Sequence, residues 1–382
     1  MIYLDYAATT PVDKKALDAM LPYFNQNFGN PASLHNFGQE AKKALESARE
    51  KVANLINANS SSEVIFTGSA TESNNLALKG VAFANKNKGK HIITTSMEHA
   101  CVKETAKWLK EHDFEITFLP VDKYGMIDLK DLKKNIKKDT ILISVIHGSN
   151  EIGTIQPIEE IVDVCKQKNI YFRTDAVQSF GKEEIDVEGM NIDLLSASSH
   201  KMYGPKGVAC LYIRNGVKIE PIIHGGGQEF GYRSSTSNVA GIVGFAEACR
   251  IAEKEGDKDA KRIKKLRDKL IKGISENIEG AYLNGHPEKR LANNVNFRFK
   301  GLEGESILFR LDMNNIAVST GSACSSNKLE PSSCLLATGL KPEEVHGSIR
   351  FSLGRYTTEE EIDYVLETLP KVIKDLRKIS PF

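Results

Sequence analysis

Long hydrophobic runs are missing from this chain. None approaches the roughly 20 apolar residues that a membrane span requires, which excludes a helical integral membrane protein. Cysteine is scarce at six in 382 residues, too sparse for a disulfide framework and suited to a reducing compartment. The cysteines are scattered without a C-x-x-C pair, so no metal-ligand spacing is present. An excess of one charge is lacking too. Lys plus Arg is 51 and Asp plus Glu is 50, a net of +1, which argues against nucleic acid or an anionic membrane as a bulk partner. The opening M-I-Y-L-D-Y-A-A-T-T has no basic stretch and meets Asp5 at once, unlike a secretory signal. There is no internal repeat and no low-complexity tract. These absences lead to the expectation of a cytoplasmic protein.

What is present is an ordinary globular composition, 41% apolar and 26% charged. At roughly 150 residues per domain, the length suits two or three domains, or one large and one small. Short apolar runs alternate with helical patterns. Strands are expected at Val64–Phe66, Ile92–Thr95, Ile116–Phe118, Ile141–Ile146, Tyr171–Thr174, Leu194–Ala197 and Val208–Ile213. Helices are expected over 38–56, 72–86, 99–112 and 157–168. This alternation predicts an α/β domain with a mainly parallel sheet and a ligand site beyond the carboxyl ends of its strands. Residues 239–279 read as a long connecting helix with Ile263, Leu266, Leu270 and Ile274 on one stripe. Strands follow at Asn294–Phe299 and Ser348–Leu353. A last helix begins at a capping box of Thr358 and Glu361, and Pro370 is expected to kink or interrupt it. The predicted division is a large domain over 13–255 and a small α+β domain over 256–382 together with 1–12.

Three motifs fall where such a fold places its site. G-S-A-T-E-S-N-N, Gly68 to Asn75, follows a strand and opens a helix. Its backbone N–H groups can hold a phosphate, although Ser69 or Thr71 can equally be a plain helix cap. Asp175 in Y-F-R-T-D-A-V-Q-S ends a strand, where a carboxylate can hold a protonated ring nitrogen or, again, cap a helix. Lys201 in S-A-S-S-H-K-M-Y-G-P-K-G follows a short strand. Its amine can form a Schiff base, while a single lysine is more often a surface charge. Taken in order, phosphate cradle, ring-nitrogen acid and Schiff-base lysine describe a pyridoxal 5'-phosphate site.

With these motifs the chain resembles the cysteine desulfurases of the NifS/IscS-like family, in the class V aminotransferase group with the fold-type I architecture of pyridoxal-phosphate-dependent transferases. The resemblance runs from Y-L-D-Y-A-A-T-T-P-V to G-S-I-R-F-S-L-G-R. It includes F-G-N-P-A-S-L-H, M-E-H-A, G-S-N-E-I-G-T, D-A-V-Q and G-S-A-C-S-S. It implies that Lys201 carries the cofactor and later moves the substrate Cα proton, and that Asp175 pairs with the ring nitrogen. It implies His99 over the ring face and Gln178 on the ring hydroxyl. Thr71, Ser198 and His200 would hold the phosphate, with the Ala70–Thr71 backbone. Asn150 lies in a motif used near cofactor and substrate, and Arg350 matches the clamp for the substrate carboxylate. Thr236 matches a phosphate-binding Thr supplied by the neighbouring subunit, which implies a homodimer. Its motif here is R-S-S-T-S-N, with Ser235 where the family has Gly.

Cys324 lies in A-V-S-T-G-S-A-C-S-S, a run of small polar residues that reads as a mobile loop. The resemblance makes it the thiolate that takes sulfur from L-cysteine, leaving alanine and a persulfide for an acceptor protein, in iron–sulfur cluster assembly or tRNA thiolation. Transient contact of Cys324 with an iron–sulfur cluster belongs to the same expectation. Cys101, Cys165 and Cys249 in helical patterns and Cys210 in a strand read as buried inert thiols. Cys334 has no assigned role. The chain ends at I-S-P-F, without the longer tail with which some family members dock a scaffold. Selenocysteine lyase, or another pyridoxal-phosphate lyase or aminotransferase, is the alternative. A silent scaffold would have lost Lys201 or Cys324. A nucleotide-binding oxidoreductase, suggested by G-G-G-Q-E-F-G at 225–231, lacks the strand–turn–helix setting.

Overall fold

The computed structural model describes residues 1–321 and 331–380. The strands, in chain order, are β1 (Ile2–Tyr3), β2 (Val64–Thr67), β3 (His91–Thr95), β4 (Glu115–Leu119), β5 (Thr140–Ile146) and β6 (Tyr171–Asp175). They continue with β7 (Leu194–Ser198), β8 (Ala209–Ile213), β9 (Ala281–Leu283), β10 (Asn294–Phe299), β11 (Ile316–Ala317) and β12 (Ser348–Ser352). A seven-stranded sheet has the order β2-β8-β7-β6-β5-β3-β4. The β4-β3-β5-β6-β7 run is parallel, and β8 is antiparallel to both neighbours. Because β3 has β4 on one side and β5 on the other, the order reverses there.

The central strands are apolar on both faces because helices cover both. Every residue of β5 is buried. On one face Ile143 and Val145 pack with Leu45 and Val52 of the helix Asn36–Leu55, and with Phe245 of the helix Val239–Asn277. On the other, Leu142 packs with Leu76 and Val81 of the helix Ala70–Asn85, and with Val102 of the helix Ala100–Lys110. A separate core joins Leu4, Phe297, Ile307, Phe351 and Leu369 under the antiparallel sheet β12-β10-β9. The 39-residue helix Val239–Asn277 serves both. Its start lies in the first core, and the Ile263, Leu266, Leu270, Ile274 stripe lies in the second.

Pro370 does not interrupt the last helix, which runs without a break over Glu359–Ile379. Proline removes one N–H bond and crowds the preceding turn. Here Val365 and Leu369 before it, and Val372, Ile373 and Leu376 after it, are all buried in the second core. That burial, at roughly 1.5–3 kcal/mol per large apolar side chain, outweighs the lost bond. The Thr358–Glu361 capping box is in place.

The first eight residues reach across both cores. β1 pairs with β11, Leu4 N–H donates to the Ala317 carbonyl, and Asp5 bridges to Ser352. This carries Ala7 and Ala8 over the carboxyl edge of the large sheet.

Candidate active site

A cavity of about 320 Å³ opens at that edge, within the ~300–1,000 Å³ usual for small-molecule sites. The segments after β2, β3, β5, β6 and β7 line it, the placement expected beyond the carboxyl ends of a parallel sheet. Ala70, Thr71, His99, Asn150, Asp175, Gln178, Ser198, His200, Lys201 and Arg350 all face it, ten residues drawn together from sequence positions up to 280 apart. Thr236 does not line it and is exposed on the surface. Cys324 lies outside the described residues.

Each side chain is held by its local backbone. Ser69 caps the helix Ala70–Asn85 by accepting from Glu72 N–H at 3.1 Å. The N–H groups of Ala70 and Thr71 therefore stand at a helix start, where the helix itself offers them no acceptor. Glu72 in turn accepts from Gly68 N–H at 2.9 Å and from Arg233 Nε at 2.6 Å, which ties the 233–236 segment to the same turn. Lys201 ends a short helical turn, Ser199–Lys201, directly after β7. Its Nζ donates to the Ala7 and Ala8 carbonyls at 2.6 and 2.7 Å. Tyr203, two residues on, sits in the left-handed region at φ 69°, a costly conformation for a bulky residue. Its N–H donates to Thr10 Oγ1 at 2.8 Å, and its hydroxyl accepts from Arg355 N–H at 2.5 Å. The turn that carries the lysine is thus pinned from both sides.

Asp175, at the end of β6, is almost fully buried. Its Oδ1 accepts from Val177 N–H at 3.0 Å and its Oδ2 from Asn74 Nδ2 at 2.7 Å. Behind it Arg173, fully buried, donates to Ser144 Oγ at 3.1 Å, Ser196 Oγ at 3.2 Å and Asn74 Oδ1. Its guanidinium lies 3.9 Å from the Asp175 carboxylate. Glu98 shares this interior. Burial pushes its carboxyl up to about 7, while Arg173 and hydrogen bonds from Ile146 N–H and Thr95 act in the opposite direction.

Gln178 donates one Nε2 hydrogen to the Ala7 carbonyl at 3.0 Å. Arg350, in β12, is 1% exposed. Its Nη1 donates to the Asn150 carbonyl at 2.9 Å and its Nη2 to Asp5 at 2.7 Å. Its buried Nε has no partner among the described residues.

His200 Nδ1 lies 3.1 Å from Thr9 Oγ1. Burial, together with the charges of Lys201, Lys206 and Lys182, lowers its pKa to about 4. Burial alone lowers His147 to about 4, and its Nδ1 meets Ser179 Oγ at 2.8 Å behind Asp175. Both imidazoles are neutral when folded, whereas an unfolded chain takes up these protons near 6.5. Between those values the unfolded state binds more protons, so stability rises with pH. Urea midpoints are therefore expected to fall progressively as pH drops from about 6.5 towards 4, and His147→Gln should flatten that slope.

Sequence reasoning missed several residues of this site. Cys101 is the clearest correction. Its helical pattern predicts an inert buried thiol, as for Cys165, Cys210 and Cys249, and those three are buried. Instead it is partly exposed and lines the cavity. Helical periodicity marks which face of Ala100–Lys110 is apolar, but not that its first turn abuts the sheet edge. Asn74, Arg173, Glu98 and Asp5 also went unassigned, although each stands inside a motif that drew attention. Cys334 is buried against Met97, Ile152 and Leu335, and burial pushes its thiol up. Among the described residues no group of three or more His, Cys, Asp or Glu is placed to hold a metal ion. No described helix is long and apolar enough to cross a membrane.

Residues 2–365 match the family model described as aminotransferase class-V. A relative named cysteine desulfurase IscS, from Dictyoglomus turgidum, is 54% identical over 381 residues, which is all of this chain and 96% of the relative. The chain belongs to the cysteine desulfurase family. Among solved structures, a NifS-like protein superimposes with a TM-score of 0.92 at 41% identity, over 98% of this chain and all of the other. The structure titled "SspA in complex with cysteine" gives 0.83 at 38% identity, over 94% of this chain and all of the other. The desulfurase fold is thus the fold-type I α/β architecture expected from the motifs. Desulfurases of class V use pyridoxal 5'-phosphate, and the donor set here fits it. A helix start beside Ser198 and His200 suits a phosphate, the Asp175 carboxylate suits a protonated ring nitrogen, and the Lys201 amine suits an aldehyde.

Proposed function

We propose that this cavity removes sulfur from L-cysteine, with pyridoxal 5'-phosphate as cofactor, and leaves alanine and a persulfide on Cys324. The observation that carries the reading is the convergence of Lys201, Asp175, His99 and Arg350 on one cavity in a full-length relative of cysteine desulfurases. The SspA structure, titled as a complex with cysteine, supports that substrate, and the relatives' names favour it over selenocysteine.

When bound, the cofactor supplies an electron sink beside the substrate's amino group. The chain's own residues do the rest. Lys201 would hold the cofactor through Nζ and move the substrate Cα proton. Asp175 keeps the ring nitrogen protonated, with Arg173 and Asn74 fixing its carboxylate. His99 would lie over the ring, and Gln178 would reach the ring hydroxyl. Ala70, Thr71, Ser198 and His200 take the phosphate. Arg350 clamps the substrate carboxylate, with Asn150 beside it. The Cys324 thiolate attacks the substrate sulfur. The carbon–sulfur bond breaks as a sulfur–sulfur bond forms, the freed Cβ takes up one proton, and Cα regains the proton that Lys201 removed. In this reading residues 13–255 hold the cofactor, and the small domain of 256–382 with 1–12 brings Cys324.

A homodimer belongs to the same reading. Leu21, Phe24, Phe28, Leu34 and Phe37 are 53–93% exposed, a concentration of apolar surface of the kind that marks an interface. Phe230, 54% exposed, precedes the exposed Thr236 by six positions. A second copy covering these residues could receive Thr236 at its phosphate. The persulfide passes to a sulfur-accepting protein.

The test compares alanine and sulfide release from L-cysteine, with a thiol reductant, between wild type and Cys324→Ser. The variant is expected to keep the bound-cofactor colour while sulfide release falls about a hundredfold. Undiminished sulfide from the variant would instead indicate a simple lyase.

A further inference from the structure

The cavity holds a second thiol that the desulfurase reaction, as described, does not use. Cys101 Sγ lies 3.1 Å from His99 Nδ1 and 3.1 Å from Asn74 Nδ2. Which atoms carry the hydrogens can be deduced step by step.

Arg173 only donates and points at Asn74 Oδ1, which fixes the Asn74 amide with its oxygen towards the guanidinium. Asn74 Nδ2 then faces the other way, and its two hydrogens serve Asp175 Oδ2 at 2.7 Å and Cys101 Sγ at 3.1 Å. The sulfur is therefore an acceptor from Asn74, and its own hydrogen is left for His99. On the other side, the backbone N–H of Cys101 donates to His99 Nδ1 at 3.2 Å, because His99 is the N-cap of the helix Ala100–Lys110. An Nδ1 that accepts this N–H carries no hydrogen. It is then the acceptor of the S–H as well, and the neutral ring holds its proton on Nε2.

We infer that Cys101 is a positioning residue for His99: the Arg173–Asn74–Cys101 chain, together with the helix N–H, locks the imidazole in the Nε2–H tautomer. The same amide that steadies Asp175 beneath the ring nitrogen thereby sets the proton on the ring's stacking partner. The hydrogen of the His99 ring is consequently carried on Nε2. This inference rests on the placement of His99 over the cofactor, but its test does not depend on turnover.

The experiment is long-range ¹H–¹⁵N NMR of the histidine-labelled holoenzyme at about pH 8, where an ordinary imidazole is neutral. His99→Gln assigns the His99 signals. Wild type is expected to show the Nε2–H tautomer in excess, with the ratio to the Nδ1–H form read from the averaged ¹⁵N shifts. In Cys101→Ala the backbone donor remains and the thiol is gone, so the Nε2–H to Nδ1–H ratio should fall about fivefold, the effect of one hydrogen bond. Cys101→Ser, which keeps a donor and an acceptor at this position, should restore it. A wild-type spectrum with the proton on Nδ1 would overturn the inference without reference to any variant. So would a ratio unchanged in Cys101→Ala, or one that serine does not restore. A failure of the desulfurase reading would be seen elsewhere, in the Cys324→Ser sulfide assay.

Discussion

Lys201→Ala protein is expected to emerge colourless, without the absorption band of bound cofactor, and to lose about 10⁴-fold in sulfide release from L-cysteine. The argument is local. Lys201 is the lysine whose turn is fixed by β7 before it and by the left-handed Tyr203 after it. Its Nζ is held between two carbonyls that present no positive charge. Lys206 also lines the cavity but is exposed and stands beyond that turn. Absorption spectra of wild type and variant, each saturated with pyridoxal 5'-phosphate and then desalted, check the first half. Sulfide assays check the second. Retention of the band after desalting would refute the assignment of the lysine.

Asp175→Asn should cost about 10²–10³-fold in kcat, the scale seen when one preorganised electrostatic partner is removed from a site. Cofactor binding should survive, because Lys201 and the phosphate contacts remain. The same substitution also tests the buried network. Arg173 would lose its nearest carboxylate, yet Glu98 lies close enough for its carboxyl to respond to both residues. With Asp175 neutral, a lesser influence that raises Glu98 is removed, while burial, the main one, and the opposing pull of Arg173 remain, so Glu98 should ionise somewhat below its present value of about 7. That shift replaces part of the lost charge. The stability cost should accordingly stay at about 1–3 kcal/mol, read from urea unfolding. Adding Glu98→Gln to Asp175→Asn should cost more than the two single changes together, because no carboxylate then remains near the guanidinium. Additive behaviour would mean that Glu98 does not compensate.

The sheet was legible because its strands are short apolar runs bounded by turns. The expected strand Asn294–Phe299 is the observed one, and Leu194–Ala197 lengthens by a single residue. Asp175, Lys201 and the Gly68–Asn75 motif were legible because they stand at strand ends or a helix start, where local chemistry is distinctive, whereas the other cavity residues were marked by the family resemblance alone, and Arg350 lies in the middle of β12. Three features were not legible. β1 is two residues long and pairs with residues more than 300 positions away, so it leaves no periodic trace. Pro370 carries a strong local signal that burial on either side overrides. Cys101 looked like any small apolar residue at the start of an amphipathic helix, and its significance lies in His99 and Asn74, which reach it from either side.

The opening segment, which places Ala7 and Ala8 in the cavity and Asp5 on Arg350, bears on the order of events during synthesis. Residues 2–8 are made more than 300 residues before their partners, residues 316–317 and 350–352. Until then the segment that carries the Ala7 and Ala8 carbonyls lacks its strand partner β11, and Arg350 does not exist to meet Asp5. Closing a loop of this size is entropically slow. A nascent chain that has already built the seven-stranded sheet therefore still lacks a working site. Reactive sulfur cannot be released from a half-made protein, and the competence to handle it arrives only when the two distant segments of the chain meet.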